Sequence, residues 1–463
     1  MKGLKFLVLI FSICVWTAGC LSESEPSALD DEKAGGDASA KDITINAFGN
    51  AVQGLDNEQK AKFVLGNSFF RNNWVQAPSS TTARDGLGVF FNARSCSGCH
   101  SLDGRGAPPL TPQEAPSALL FRISVTGTNP HGAPLDENTY GGQIGNFAIQ
   151  GVQPEAKVSV MYEEIQGKYE DGASYSLRKP IYQISDWAYG MPSSDLKVSP
   201  RISPQMIGLG LLELISESQI IEKEDINDTN KDGISGKANR VWDESIQKTI
   251  LGRFGWKANQ PTLKQQVAGA FLGDIGITSP IFPNESISFN QFTTIGDKPN
   301  GGAPEISSEN LESVVFYSQT LAVPYRRNVQ DANTLKGKDI FFQLSCDKCH
   351  QPSFKTSLSS IKSMSEQTIF PYTDLLLHDM GEGLADHRED FLANGTEWRT
   401  PPLWGIGLIE TVNQHTYLLH DGRARNVEEA ILWHDGEASE STKLFKKLSS
   451  QQRNQLIQFV NSL

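Results

Sequence analysis

The strongest constraint on this chain is a short motif that occurs twice. Arg94-Ser95-Cys96-Ser97-Gly98-Cys99-His100 and Leu344-Ser345-Cys346-Asp347-Lys348-Cys349-His350 each contain C-x-x-C-H. Two cysteines at this spacing stand about one helical turn apart. Both thiols can then add to the vinyl edges of one porphyrin while the next residue, histidine, reaches the iron. C-x-x-C alone is also half a zinc site or a thioredoxin-like redox pair. Zinc would pool the cysteines into one tetrahedral cluster, whereas each pair here carries its own adjacent histidine. The repeated motif therefore predicts two covalently bound haem c groups, attached at Cys96, Cys99, Cys346 and Cys349, with His100 and His350 on the irons. Phe91 and Phe341 each stand at the fifth place before the first cysteine, and Ser95 and Ser345 immediately before it. These flanks read as an internal duplication.

The remaining cysteines, Cys14 and Cys20, fall in the first 20 residues, so no disulfide framework is left over. Those residues carry Lys2 and Lys5, an apolar run from Phe6 to Trp16, and small residues before Cys20. That pattern is an export signal, residues 1–19, too short to span a bilayer as a mature helix. The ending Gly19-Cys20 resembles a lipoprotein processing site with Cys20 lipidated, although Thr17 stands where leucine is usual, so ordinary cleavage stays open. The expected location is the periplasm or cell envelope, with a lipid as the only membrane anchor. Residues 20–42 are rich in Ser, Glu, Asp, Ala and Gly and read as a disordered tether. With 54 acidic and 41 basic residues, a formal charge of −13, nucleic acid is not expected as a partner.

Residues 43–330 are expected to form an N-terminal haem domain with an insertion, and residues 331–463 a C-terminal cytochrome c-like haem domain. In the insertion, Val158, Val160, Tyr162 and Ile165, then Tyr175, Leu177 and Ile181, suggest strands around a turn at Asp171-Gly172. A helix is expected after Ser203 as N-cap, and helical pattern resumes over 250–272 and 309–324. Gly337-x-x-x-Phe341 suits the leading helix of a cytochrome c module, and Leu456, Phe459, Val460 and Leu463 form the stripe of a terminal helix. The expected fold is mainly α, two cytochrome c-like haem modules with an inserted region containing some β-hairpin structure.

Asp228-Thr229-Asn230-Lys231-Asp232-Gly233 alternates oxygen-bearing side chains. With the Ile234 carbonyl and Asn239 at the twelfth place it resembles an EF-hand calcium loop. Asn239 replaces the usual bidentate Glu, and the same residues make ordinary turns, so Ca2+ stands beside a plain turn.

An iron with two protein ligands moves electrons, whereas one with an open position binds a small molecule. Candidates for the far side of each iron are His131, His378, His387, His415, His420, His434 and Met380. His434 shares a helix face with Val427, Ala430 and Ile431 behind an Asn426 cap, a spacing that suits a core histidine as well as a ligand.

The two C-x-x-C-H motifs, the run Tyr372-Thr373-Asp374-Leu375-Leu376-Leu377-His378-Asp379-Met380-Gly381, and the run Leu419-His420-Asp421-Gly422-Arg423-Ala424 through Glu437 resemble the bacterial dihaem oxidoreductase, putative peroxidase family, often labelled thiol oxidoreductases. The resemblance covers nearly everything after the tether. More distantly the chain is similar to dihaem cytochrome c peroxidases, MauG-type enzymes and rubber oxygenases. The likeness implies His434 as distal ligand of the second haem. It also implies a glutamine and an acid over the first, for which Glu155 serves as acid-base group and Gln143 or Gln150 as orienter. His131 is the alternative that closes this site.

The function expected is an exported dihaem oxidoreductase that reduces peroxide at the N-terminal haem, with electrons relayed by the C-terminal haem from a small cytochrome or cupredoxin. The rivals are a non-catalytic electron-transfer protein and an oxygenase or oxidase that uses oxygen on an organic or protein substrate. The thiol label gains no support, because no cysteine is left free after the haem pairs.

Overall fold

Two pairs of crossing helices frame the fold. Asp56 caps the helix Asn57–Arg71 in a reciprocal box with Gln59, and Ser307 caps the helix Ser308–Gln319 that crosses it. Far downstream, Asp331 caps Ala332–Gln343, and a Ser449/Gln452 box starts Ser450–Ser462. Each crossing is closed by a glycine. A Cβ on Gly66 would stand 2.0 Å from the Ser313 carbonyl oxygen, and one on Gly337 2.0 Å from that of Gln455. Absence of a side chain lets the backbones touch, and aromatic rings pack beside the contact. Phe70 lies 5.3 Å from Tyr317 and 6.2 Å from His100, while Phe341 lies 5.3 Å from Phe459 and 6.5 Å from His350.

This equivalence corrects the one drawn from spacing. The counterpart of Phe341 is Phe70; Phe91 belongs to the short strand Phe90–Phe91, paired with Phe147–Ala148. Extra residues between the first helix and its cysteines break the register that the flanking sequence suggests.

Our computed structural model describes residues 31–463; the expected signal, Cys20 and the start of the tether lie outside the described residues. The rest of the expected tether is packed. Asp31 pairs with the buried Arg326 and with Lys338 at 2.8 Å. Ala34 and Ala38 are buried, and Ser39–Ala40 runs parallel to Val323–Pro324. Small residues bury little surface, but here they lie flat against it, and a buried guanidinium supplies the partner that composition cannot reveal.

The fold is not mainly α. Helix accounts for 29% and strand for 19%, spread over several small sheets. Leu119–Thr128 pairs antiparallel with Lys197–Ile202. The alternation around Asp171-Gly172 resolves as a long hairpin of Lys157–Lys168 and Ser174–Ser185. The helix expected after Ser203 is reduced to Leu209–Glu213, because Gly208 takes a left-handed conformation (φ 71°) and the Ser203 hydroxyl is turned to the Cys99 carbonyl. Over 250–272, a strand (Lys248–Leu251) precedes the helix Leu263–Ala270. Among the described residues no helix is long and apolar enough to cross a membrane.

The glycine crossings carry a testable consequence. Gly337→Ala drives a methyl into the Gln455 carbonyl and is expected to cost about 2 kcal/mol or more of unfolding free energy. Gly269→Ala, whose Cβ would meet nothing closer than 3.9 Å within a helix, is expected to be neutral or stabilising by up to ~1 kcal/mol. Denaturant unfolding of both variants checks this; equal stability would contradict it.

Candidate functional site

Both C-x-x-C-H loops open onto one cavity of about 400 Å³, whose wall includes Cys96, Cys99, His100, Cys346, Cys349, His350 and His434. Each loop is a single tight turn: the amide of His100 donates to Cys96 O and that of His350 to Cys346 O, both at 2.9 Å. Burial pushes the Cys96 and Cys346 thiols up to about 12, and raises Cys99 and Cys349 as well. A redox pair needs a thiol whose pKa is depressed. These environments do the opposite.

Three imidazoles on this wall are prepared in the same way. His100 Nδ1 donates to Pro204 O at 2.7 Å, His350 Nδ1 to Tyr372 O at 2.9 Å, and His434 Nδ1 to Ala430 O at 2.6 Å. A carbonyl can only accept, so Nδ1 carries the proton and Nε2 keeps its lone pair, the arrangement of an iron-ligating histidine. Burial holds all three neutral. It pushes His100 and His350 down to about 4 and lowers His434 as well.

The His434 helix, Val427–Leu432, is held by the long hairpin from the other half of the chain. Glu429 accepts from the amide of Arg178 and from Arg425 Nε at 2.6 Å, and Tyr169 Oη donates to Glu428 at 2.7 Å. Arg453 pairs with Asp171, beside the hairpin turn, at 2.9 Å.

The wall also fits the anionic edge of a haem. Arg105 and Arg399 are buried, line the cavity and give their hydrogen bonds to carbonyl oxygens: Tyr417, Leu419, Gly255 and Thr400. Among the described residues no carboxylate lies within ion-pair distance, Asp421 and Asp374 act on them only from farther off, and burial lowers both guanidinium groups to about 10. A buried cation without a direct carboxylate partner is costly. Propionate groups would supply that partner.

Several expected site residues lie elsewhere. Glu155 is buried outside this cavity, accepting from Gly145 N and Gln291 Nε2, and burial pushes it up to about 8. It lines a separate small cavity with Gln143 and Glu285. The acid that faces the main cavity is Asp274, in the π-helical turn Phe271–Ile275 that follows Leu263–Ala270. Gln143 Nε2 donates to Asp274 at 2.9 Å and to Asn92 at 2.7 Å, so it serves Asp274 and not Glu155. Burial raises the Asp274 carboxyl, against the pull of Arg122. No sequence signal marks Asp274, because a π turn has no simple periodicity. Gln150 is exposed.

The other histidines separate cleanly. His131 is exposed and stacks on Trp242 at 3.8 Å, away from the cavity, and His387 is exposed. His415 uses both nitrogens, on Arg105 O and Tyr417 N. His378 and His420 do line the cavity. His378 holds Asp374 at 2.8 Å and Glu437 at 2.7 Å, which leaves it no lone pair. His420 stacks on Trp398 at 3.8 Å, with Nε2 3.6 Å from Asp421.

Of the expected calcium ligands, Asn239 does not join the others. Asn239 is buried elsewhere, with its amide on Lys257 O, Asp390 O and Leu392 N. Asp228 accepts from Gly233 N, Asn230 from Asp232 N and Asp232 from Ile234 N, the bonds of an ordinary turn. Asp232 also reaches Lys348, inside the second C-x-x-C-H loop, at 3.3 Å.

Asp421 anchors the cavity-lining loop that carries His420. Its carboxylate is buried and pairs with the buried Arg423 at 2.7 Å. Burial would raise it, but Arg423 holds it well below the usual carboxylate range. Its stabilising contribution is therefore complete above that range and lost as pH falls toward the depressed value. Asp421→Asn is expected to cost about 3–5 kcal/mol by stranding Arg423, measured at neutral pH. A loss below about 1 kcal/mol, the value of an exposed pair, would contradict this.

The comparison with curated proteins returned no match. Among solved structures the chain is similar to hydrazine synthase of Kuenenia stuttgartiensis, pressurized with 20 bar xenon. The identity is 13% over 100% of both chains, with a TM-score of 0.34, too weak a likeness to carry any inference. A family match is far more extensive, covering residues 29–463. Its description, "Di-haem oxidoreductase, putative peroxidase", accords with two histidine-bearing haem loops on one cavity, and this chain belongs to that family.

Proposed function

We propose that the protein is an exported peroxidase holding two haem c groups by thioether links at Cys96/Cys99 and Cys346/Cys349. It reduces peroxide at the first, with electrons entering through the second from a small cytochrome or cupredoxin. Export and a lipid at Cys20 rest on the leader sequence alone.

The observation that carries this reading is the inequality of the two loops. His434 offers a lone-pair Nε2 into the cavity close to His350, so the second iron has two imidazoles available. Among the described residues no further cavity histidine gives its Nδ1 proton to a main-chain carbonyl in this way. His378 has both nitrogens engaged, and His420 stacks on Trp398 with Nε2 3.6 Å from Asp421. What the Cys96–His100 side has instead is a carboxyl: Asp274 shares the cavity wall with Cys96, Cys99 and His100, and its main-chain oxygen takes the amides of Asn92 and Ala93 just before that loop.

Bound haem supplies iron that passes single electrons and, where one face stays open, takes an oxidant. The chain's own residues supply the rest. Peroxide reduction consumes two electrons and two protons and yields water, so a group must hold a proton beside the oxidant. Asp274 fits that role: burial favours its protonated form, and Gln143 fixes its orientation from behind. Arg105 and Arg399 would take the haem propionates, and His434 would close the second iron to small molecules.

Asp274→Asn is expected to lower kcat/KM for peroxide by about 10²–10⁴-fold, the usual worth of general acid-base catalysis. Glu155→Gln is expected to change it by less than about tenfold, since that carboxyl lies outside the cavity. The reverse order would contradict the assignment. His434→Ala should convert the low-spin ferric signal of one haem to high spin in electron paramagnetic resonance. An unchanged low-spin signal would remove His434 from the iron.

A further inference from the structure

The buried trio Asp374, His378 and Glu437 has no part in the reaction as described, yet it lies against the second attachment site. The Cys349 sulfur and ligand-capable atoms of Asp374 and His378 all lie within 4.8 Å of one another. His378 is clamped on both sides, Nε2 to Asp374 Oδ2 at 2.8 Å and Nδ1 to Glu437 Oε2 at 2.7 Å. Side-chain exposures of 2% for His378, 2% for Asp374 and 10% for Glu437 leave little room for water.

The charge of this group follows from its geometry. Carboxylates accept hydrogen bonds, so an imidazole with a carboxylate on each nitrogen must donate from both, which makes it an imidazolium. One imidazolium between two carboxylates leaves one net negative charge. Both acids are further pinned as acceptors: Asp374 takes the amide of Leu376 at 2.9 Å, and Glu437 takes the amide of Ser235 at 3.0 Å and its hydroxyl at 2.8 Å. Of nearby cations, Lys237 is spent on Glu397 at 2.8 Å, and Arg399 acts on Asp374 only from beyond ion-pair distance, with its hydrogen bonds on main-chain carbonyls. Among the described residues the negative charge is therefore fixed by geometry and has no direct cationic partner outside the trio.

Resting on the two-haem reading above, we infer that Asp374, His378 and Glu437 are a charge-setting group for the second haem. Their net negative charge beside Cys349 favours the ferric over the ferrous state and lowers the potential of that haem. A ferric haem carries one more positive charge than a ferrous one, and a fixed anion at the porphyrin edge stabilises it selectively. The trio acts through charge, without touching substrate; its residues are positioning residues.

The test is a spectropotentiometric titration of the holoprotein, following the low-spin and high-spin bands separately, for wild type, Glu437→Gln and Ser235→Ala. Glu437→Gln removes one negative charge and should shift the low-spin midpoint upward, with the low-spin spectrum and the other midpoint unmoved. Ser235→Ala removes a hydrogen bond from Glu437 but no charge and should leave both midpoints in place. An unmoved midpoint in Glu437→Gln, or an equal shift in Ser235→Ala, overturns the inference. If Glu437→Gln does not load haem, Asp374→Asn is read by the same criteria. The potentials are measured without peroxide. A shift in a protein that does not turn over peroxide would sink the peroxidase reading alone, whereas turnover without a shift would sink only this one.

Discussion

Three imidazoles in one cavity each give their Nδ1 proton to a main-chain carbonyl, and much of the surrounding structure holds those carbonyls in place. Pro204 is fixed by the neighbouring Ser203 hydroxyl on Cys99 O, so the seat of His100 and the loop that carries it are tied together. Tyr372 is buried between Phe341 and Phe459, at the crossing closed by Gly337. Ala430 lies one turn before His434 in a helix clamped by the hairpin. The tautomer of each ring, and so its capacity to bind iron, depends on tertiary packing and not on the motif alone.

The region between the first loop and the second helix pair serves as the fastener of the molecule. The hairpin 157–185 reaches Glu428, Glu429 and Arg453 of the C-terminal part. The turn 225–235 reaches Lys348 and Glu437. Lys257, wholly buried, pairs with Asp386 at 2.8 Å and lies over Trp398, which in turn stacks on His420. Residues distant in sequence thus build a single cavity wall. Such long-range ion pairs contribute less by net energy than by the penalty of breaking them, which fixes one arrangement of the two parts.

What could be read in advance divides along this line. The haem loops, the cap at Asn426 and the strands around Asp171-Gly172 are local, written in spacing and periodicity. The mixed fold was missed because strong apolar runs, such as that after Ser203, look helical until a glycine at positive φ and a hydroxyl bound elsewhere interrupt them. Asp274 carries no sequence signal because it sits in a π turn facing the cavity, and Glu155, picked by the order Pro154-Glu155, lies in a separate small cavity. The Asp-Gly loop at 228–233 has the composition of a cation site, but its twelfth residue, Asn239, turns into the core. Likewise Phe91 matched Phe341 by count, whereas Phe70 matches it by contact.

Two porphyrins held by thioether bonds on one cavity are the claim on which all else rests. Intact mass under denaturing conditions, on protein made in a host that attaches haem c, tests it most directly. The expected mass is that of the polypeptide plus two haems, falling by one haem when Cys96 and Cys99 are both replaced by alanine. A polypeptide that sheds all haem on denaturation, or that carries only one, would contradict it.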